Sequence, residues 1–107
     1  MKKVVKFGGS SLASAEQFKK VGDIIRADKS RRYVVPSAPG KRSSSDTKVT
    51  DMLYSCYNLA IREKKFTSLL DEIHARYNEI IDGLNLELSL DHEFDMIREN
   101  FWQKIGR

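Results

Sequence analysis

Lys6, Gly8, Gly9, Ser10 and Ser11 stand within six residues, directly behind the strand-forming side chains Val4, Val5 and Phe7. Together they have the makings of a phosphate-holding loop. Glycines remove side chains where the chain turns, so backbone N–H groups can come close to an anion. Lys6 adds a mobile positive charge. Ser10 and Ser11 offer hydroxyl and backbone donors just ahead of an amphipathic helix, whose N-terminal end favours negative charge. The chemistry in prospect is the holding of a phosphoryl group. Two better known glycine patterns do not fit. The dinucleotide fingerprint G-x-G-x-x-G is absent from Phe7 to Leu12, and the G-x-x-x-x-G-K-[ST] loop fails at Gly40-Lys41-Arg42, where Val35 and Arg42 occupy required positions.

The elements that must position this loop follow from the apolar pattern. Residues 2–7 read as a short buried strand. Ser14 and Gln17 have the spacing of a capping box, and Phe18, Val21, Ile24 and Ile25 give the following helix one apolar face. A second strand runs from Tyr33 to Pro36. Strand, helix and strand at this spacing make a right-handed crossover with parallel strands. Ligands of such sheets bind beyond the carboxyl ends of the strands, where Gly8–Ser11 and Ser37–Gly40 both fall. Pro39 to Asp46, rich in Ser, Gly and Pro, reads as a flexible loop.

From there the pattern turns helical. Val49, Met52, Leu53, Cys56, Tyr57, Ala60 and Ile61 mark one helix, and Phe66, Leu69, Leu70, Ile73, Tyr77, Ile80 and Ile81 a second. Phe94, Ile97, Phe101 and Ile105 mark a third, after a turn-rich connector from Gly83 to Asp91 with Asp91 as the expected N-cap. The fold class is therefore α/β: a short parallel strand pair over residues 1–50, followed by an α-helical segment over 51–107.

With 107 residues and 40% hydrophobic content, the chain holds one small core. Its +4 net charge is unevenly spread: residues 1–50 carry 12 Lys and Arg against 4 Asp and Glu, residues 51–107 carry 7 against 11. The basic half holds the phosphate loop. The basic residues are scattered with no interleaved aromatic stripe, which argues against nucleic acid as a partner. Cys56 is the single cysteine, so no intrachain disulfide forms and a reducing, cytoplasmic location is expected. No apolar run spans a bilayer, so no membrane partner is expected either. His74 and His92 lie in no ligand-like cluster and no metal ligand is assigned. Asp71, Glu72 and Glu79 fall at polar helical positions, while Phe101, Trp102 and Cys56 read as packing residues.

The stretch Val4 to Leu12, with Lys6-Phe7-Gly8-Gly9-Ser10-Ser11 at its centre, resembles the opening signature of the aspartokinases, members of the amino-acid kinase superfamily with its carbamate kinase-like fold. Tyr33 to Gly40, with Ser37-Ala38, and Lys48 to Leu53, with Thr50, are similar to two further blocks of that family in the same order. The resemblance implies transfer of the γ-phosphoryl group of ATP to the side-chain carboxylate of L-aspartate, giving 4-phospho-L-aspartate, the first step toward lysine, threonine and methionine. It assigns Lys6 to catalysis and the γ-phosphate, Lys6, Phe7, Gly8, Gly9 and Ser10 to the nucleotide, and Ser37, Ala38 and Thr50 to aspartate, with Thr47 as the alternative to Thr50. It also implies Mg2+ with the ATP. A homo-oligomer is expected on separate grounds, because a two-strand sheet with uncovered edges is a poor monomer. Against the family the chain corresponds to the N-terminal part of a kinase domain, inactive alone and without regulatory domains. Two other readings stay open. The acceptor could be that of a related superfamily kinase, such as glutamate, acetylglutamate, carbamate or a nucleoside monophosphate. Alternatively, the chain is a non-catalytic phosphate-binding or interaction module.

Overall fold

The computed structural model describes residues 1–105, with the side chains of Lys104 and Ile105 outside that description, so the core position expected for Ile105 is not addressed. The chain divides into two compact units, Met1–Val49 and the residues from Thr50 onward.

In the first unit, β1 (Lys3–Phe7) runs into a 3₁₀ turn (Gly9–Leu12), then α1 (Ala15–Arg26) and β2 (Arg31–Pro36). The strands pair in parallel, with Val4 opposite Tyr33, Lys6 opposite Val35 and Phe7 opposite Pro36. The helix starts where its cap predicts: Ser14 Oγ accepts from the Gln17 N–H at 3.3 Å, and the Phe18 N–H reaches the Ser14 carbonyl at 3.0 Å. Between α1 and β2, Asp28 organises the return. Its carboxylate takes the Ser30 hydroxyl at 2.6 Å, the Ser30 N–H at 2.9 Å and the Lys3 ammonium at 2.9 Å. Those contacts, the Ser30 hydroxyl first, hold the Asp28 carboxyl well below the usual carboxylate range. They also tie the start of β1 to the start of β2. Leu12, Ala13 and Val21 are buried under the helix, with Phe18 and Ile25 half-buried beside them.

One expectation fails here. The strand expected to be buried over residues 2–7 is not, since Val4 is 70% exposed, and its neighbour β2 is open too, with Tyr33, Val34 and Val35 exposed. The apolar strand pattern is a demand for cover, and within a sheet of two strands each strand has only one neighbour. Alternation survives, with Val5 and Phe7 half-buried on one face of β1 and Val4 and Lys6 exposed on the other.

The second unit is helical. It contains α2 (Val49–Ile61, whose first residue belongs to the first unit), α3 (Thr67–Gly83) and α4 (Asp91–Ile105). Met52, Cys56 and Ala60 are buried at four-residue spacing on α2, as are Phe66, Leu70, Ile73, Ile80 and Ile81 in and before α3, and Phe94 on α4. Leu53 and Tyr77 are half-buried, while Tyr57 and Ile61 lie exposed at the margins of the α2 face. Phe66 meets Phe101 and Trp102 at ring distances of 5.3 Å, and His74 stacks on Phe94 at 4.3 Å. Arg98 on α4 reaches Asp71 on α3 at 2.9 Å. Asp91 is the first residue of α4 rather than its cap, and its N–H donates to Ser89 Oγ at 3.1 Å.

Two helix ends use the left-handed region without glycine. Glu63 and Asn85 both have φ near 55°. After Asn85 the Leu86 N–H reaches back to the Ile81 carbonyl at 3.1 Å, and after Glu63 the Lys64 N–H reaches the Leu59 carbonyl at 2.9 Å. Both are the six-to-one closures of a Schellman end.

Candidate phosphate-binding site

The parallel register brings the ends of β1 and β2 to the same edge of the sheet, so Gly8–Ser10 and Ser37–Gly40 leave it side by side. The Ser37 N–H donates to the Phe7 carbonyl at 3.1 Å, continuing the ladder one residue past β2. Lys6, Ser10 and Ser37 are exposed there, with Phe7, Gly9 and Ala38 half-buried. No carboxylate pairs with Lys6 among the described residues, so its charge is free for an anion from outside the chain.

The two glycines of the loop do different work. Gly8 is extended, with φ −77° and ψ 173°, a conformation open to any residue, and a Cβ built on it would meet nothing within 4 Å. Neither backbone strain nor packing asks for glycine at that position. The bare backbone at Gly8 gives room that the protein itself leaves unfilled. Gly9 is spent inside the protein. Its Cβ would lie 3.2 Å from both the Ala38 carbonyl oxygen and the Gly40 Cα. The first N–H groups of the 3₁₀ turn that follows, those of Gly9 and Ser10, have no acceptor within the turn, while the Ser11 N–H closes on the Gly8 carbonyl at 3.1 Å.

The loop after Ala38 is closed rather than loose. Its ends meet where the Val49 N–H donates to the Pro39 carbonyl at 3.0 Å, and Pro39, Gly40 and Val49 are buried. Inside it, the Asp46 carboxylate takes Arg42 Nε at 2.7 Å and the Arg42 N–H at 3.0 Å. Lys41 and Thr47 are exposed. The sequence places Gly8–Ser11 and Ser37–Gly40 at one sheet edge but carries no signal that Gly40 faces Gly9.

Thr50 belongs to the second unit, where it is exposed in the first turn of α2. With Leu53, Tyr54 and Tyr57 it lines a shallow, largely apolar groove. The sheet edge thus collects Lys6, Phe7, Gly8, Gly9, Ser10, Ser37 and Ala38, and Thr50 stands on a separate element.

Residues 1–96 match the amino acid kinase family. The chain belongs to that family. Among its amino acid kinase relatives, aspartokinase 3 of Bacillus subtilis is 46% identical over 88 residues, covering 82% of this chain and 19% of the relative. The aspartokinase of Chlamydia pneumoniae is 38% identical over 85 residues, 78% of this chain and 17% of the relative. The crystal structure of an aspartate kinase from Clostridium acetobutylicum superimposes with a TM-score of 0.88 at 43% identity, over 94% of this chain and 24% of that one. The strand pair and helical segment are therefore those of the amino acid kinase fold. The chain spans about a sixth to a quarter of the length of these relatives. No helix among the described residues is long and apolar enough to cross a membrane.

Proposed function

We propose that this chain carries the phosphate loop and part of the acceptor site of an aspartate kinase, which transfers the γ-phosphoryl group of ATP to the side-chain carboxylate of L-aspartate. The observation that carries the reading is the pairing of two loops at one sheet edge: a lysine and an unfilled glycine on one, Ser37 and Ala38 on the other. The 46% identity to an aspartokinase supports aspartate as the acceptor.

The nucleophile in this reaction is already an anion, so no strong base is required. The barrier lies in bringing a carboxylate against a polyphosphate and in the charge that gathers on the transferring oxygens. Lys6 answers both needs from the exposed face of β1. Phe7, Gly8, Gly9 and Ser10 hold the phosphates with main-chain donors, and Ser37 and Ala38 hold the aspartate from the adjoining strand end. Thr50, from the start of α2, is a further contact to aspartate, with Thr47 as the alternative. As a carboxylate oxygen bonds to the γ-phosphorus, the bond to the bridging oxygen breaks and ADP leaves with that electron pair.

Magnesium would accompany the nucleotide and offset its charge. Among the described residues no three His, Cys, Asp or Glu side chains converge on a common point. In the first unit Asp23, Asp28 and Asp46 are engaged with Arg26, with Lys3 and Ser30, and with Arg42. No part of the transfer is assigned to a metal held by the side chains of residues 1–49.

The test is aspartate-dependent formation of acyl phosphate from MgATP, trapped as hydroxamate, in the full polypeptide that contains this chain. Lys6→Ala should lower kcat by at least about 10²-fold, the usual cost of losing a donor to developing charge. Turnover of a different carboxylate or of carbamate would move the acceptor assignment within the family. ATP binding without turnover of any acceptor would favour a phosphate-binding module.

A further inference from the structure

Gly40 lies outside every residue assigned above, yet it is the most tightly fitted position of the site. A Cβ on Gly40 would stand 2.6 Å from the Gly9 carbonyl carbon, 2.8 Å from its oxygen and 2.8 Å from the Ser10 nitrogen. These are main-chain atoms, which cannot swing aside as the end of a long side chain can. The Gly40 N–H donates to that same Gly9 carbonyl at 2.8 Å. Gly9 reciprocates, since its own missing side chain leaves room for the Gly40 backbone at 3.2 Å. Two peptide groups, one from each loop, are thus in direct contact across the sheet edge.

We propose that Gly40 is a positioning residue for phosphoryl transfer: it fixes the aim of the phosphate loop through the Gly9–Ser10 peptide. That peptide is planar and trans, so its C=O and N–H point in opposite directions. Holding the Gly9 oxygen toward Gly40 turns the Ser10 N–H away from Gly40. The same contact sets the spacing between the loop that holds the transferred group and the loop that bears Ser37 and Ala38. Gly40 acts through Gly9 and Ser10, and the inference rests on the aspartate kinase reading for the reaction it serves.

The experiment compares Gly40→Ala, Gly9→Ala and Gly22→Ala in the full polypeptide, reading kcat, the KM for ATP, the KM for aspartate, the Kd for MgADP and the folded fraction. Gly22 lies in α1, and a Cβ there meets only the mobile Arg26 guanidinium at 3.1 Å, so Gly22→Ala should match the parent. Gly40→Ala should lose about 10²-fold in kcat/KM for ATP per folded molecule, the scale of an ångström-sized misplacement. Gly9→Ala, with the milder clash, should lose less in the same direction. If Gly40→Ala does not fold, Gly9→Ala carries the test through the KM for aspartate, which must rise because the added methyl presses on the Ala38 carbonyl and the Gly40 backbone, an effect that loss of a phosphate contact alone does not give.

Activity that falls only in step with the folded fraction, with KM for ATP and Kd for MgADP unchanged, overturns the proposal by making Gly40 merely structural. If the parent fails to phosphorylate aspartate, the functional reading fails separately. The positioning role is then decided by MgADP binding, which Gly40→Ala must weaken for the role to stand.

Discussion

The Asp46 carboxylate is clasped by Arg42 from three directions, taking Nε at 2.7 Å, Nη2 at 3.1 Å and the Arg42 N–H at 3.0 Å. The side-chain bonds first, then the backbone one, hold the Asp46 carboxyl well below the usual carboxylate range. A carboxyl depressed in the folded state stabilises it above the unfolded value, about 4, and that contribution disappears as pH falls through the lower folded value. The loop should therefore stay closed at pH 5 and open only in strong acid. Asp46→Asn should open it at neutral pH, at a cost of about 1 kcal/mol or less to global stability. Limited trypsin digestion reads this directly, with faster cleavage after Lys41 and Arg42 in the variant and an unchanged rate elsewhere.

Gly8→Ala separates folding from ligand binding. With an ordinary φ and open space around the added methyl, the variant should keep its melting temperature or gain up to about 1 kcal/mol from the less flexible unfolded chain. Its affinity for MgADP should fall, because the methyl occupies the room next to the phosphates. Circular dichroism melts and calorimetric titration on the same sample check both halves. Equal nucleotide affinity would remove Gly8 from the site.

Glu63 offers a gain in stability. A side chain held at φ 55° is strained, and Glu63→Gly should stabilise the helical unit by about 1 kcal/mol. Asn85 tolerates the same region better, so Asn85→Gly should gain less. A melting temperature that falls for Glu63→Gly would mean that the side chain contributes more than the strain it brings.

Cys56 should be inert in the folded protein. Its thiol is buried on α2, and desolvation, helped by Glu72, pushes it up to about 11. The neutral thiol favoured by folding stabilises the chain below the unfolded value, about 8.5, and that contribution is lost as pH rises through about 11. A thiol reagent at pH 8 should label the unfolded chain rapidly and the native one only as fast as it opens. Cys56→Ser should cost about 1 to 3 kcal/mol by burying a hydroxyl in apolar surroundings.

Much of this was legible in the residues. Val4-Val5 before Gly8-Gly9, and Tyr33 to Val35 before Ser37, gave both strands, their direction and the edge where the loops emerge, because strand propensity and turn chemistry are local. Ser14 marked the start of α1 for the same reason. Exposure of the strands was not legible, since Val4 and Val35 carry the same apolar signal whether or not a neighbouring layer is present. The contact of Gly9 with Gly40 joins residues far apart in sequence through main-chain atoms, which leave no trace in composition beyond two glycines, one of which the phosphate loop already accounts for. The Arg42–Asp46 pair is not legible because the stretch reads as a flexible loop, where spacing fixes no side-chain partner, and here the pair closes it. Glu63 was missed because left-handed ends are sought at glycine and asparagine.

The meeting of Gly9 and Gly40 also bears on how such a site can be found and altered. Scanning by truncation to alanine asks what is lost when a side chain is removed, and at these two positions there is nothing to remove. The same substitution there adds matter, so a scan would record them as disruptive and give no hint that they are walls. Library designs should hold both positions fixed, with Arg42 and Asp46, and vary the exposed Lys41, Ser44 and Ser45 instead. Those side chains lie outside the Gly9–Gly40 contact and outside the Arg42–Asp46 pair, so exchanging them at constant loop length leaves the peptide wall its shape.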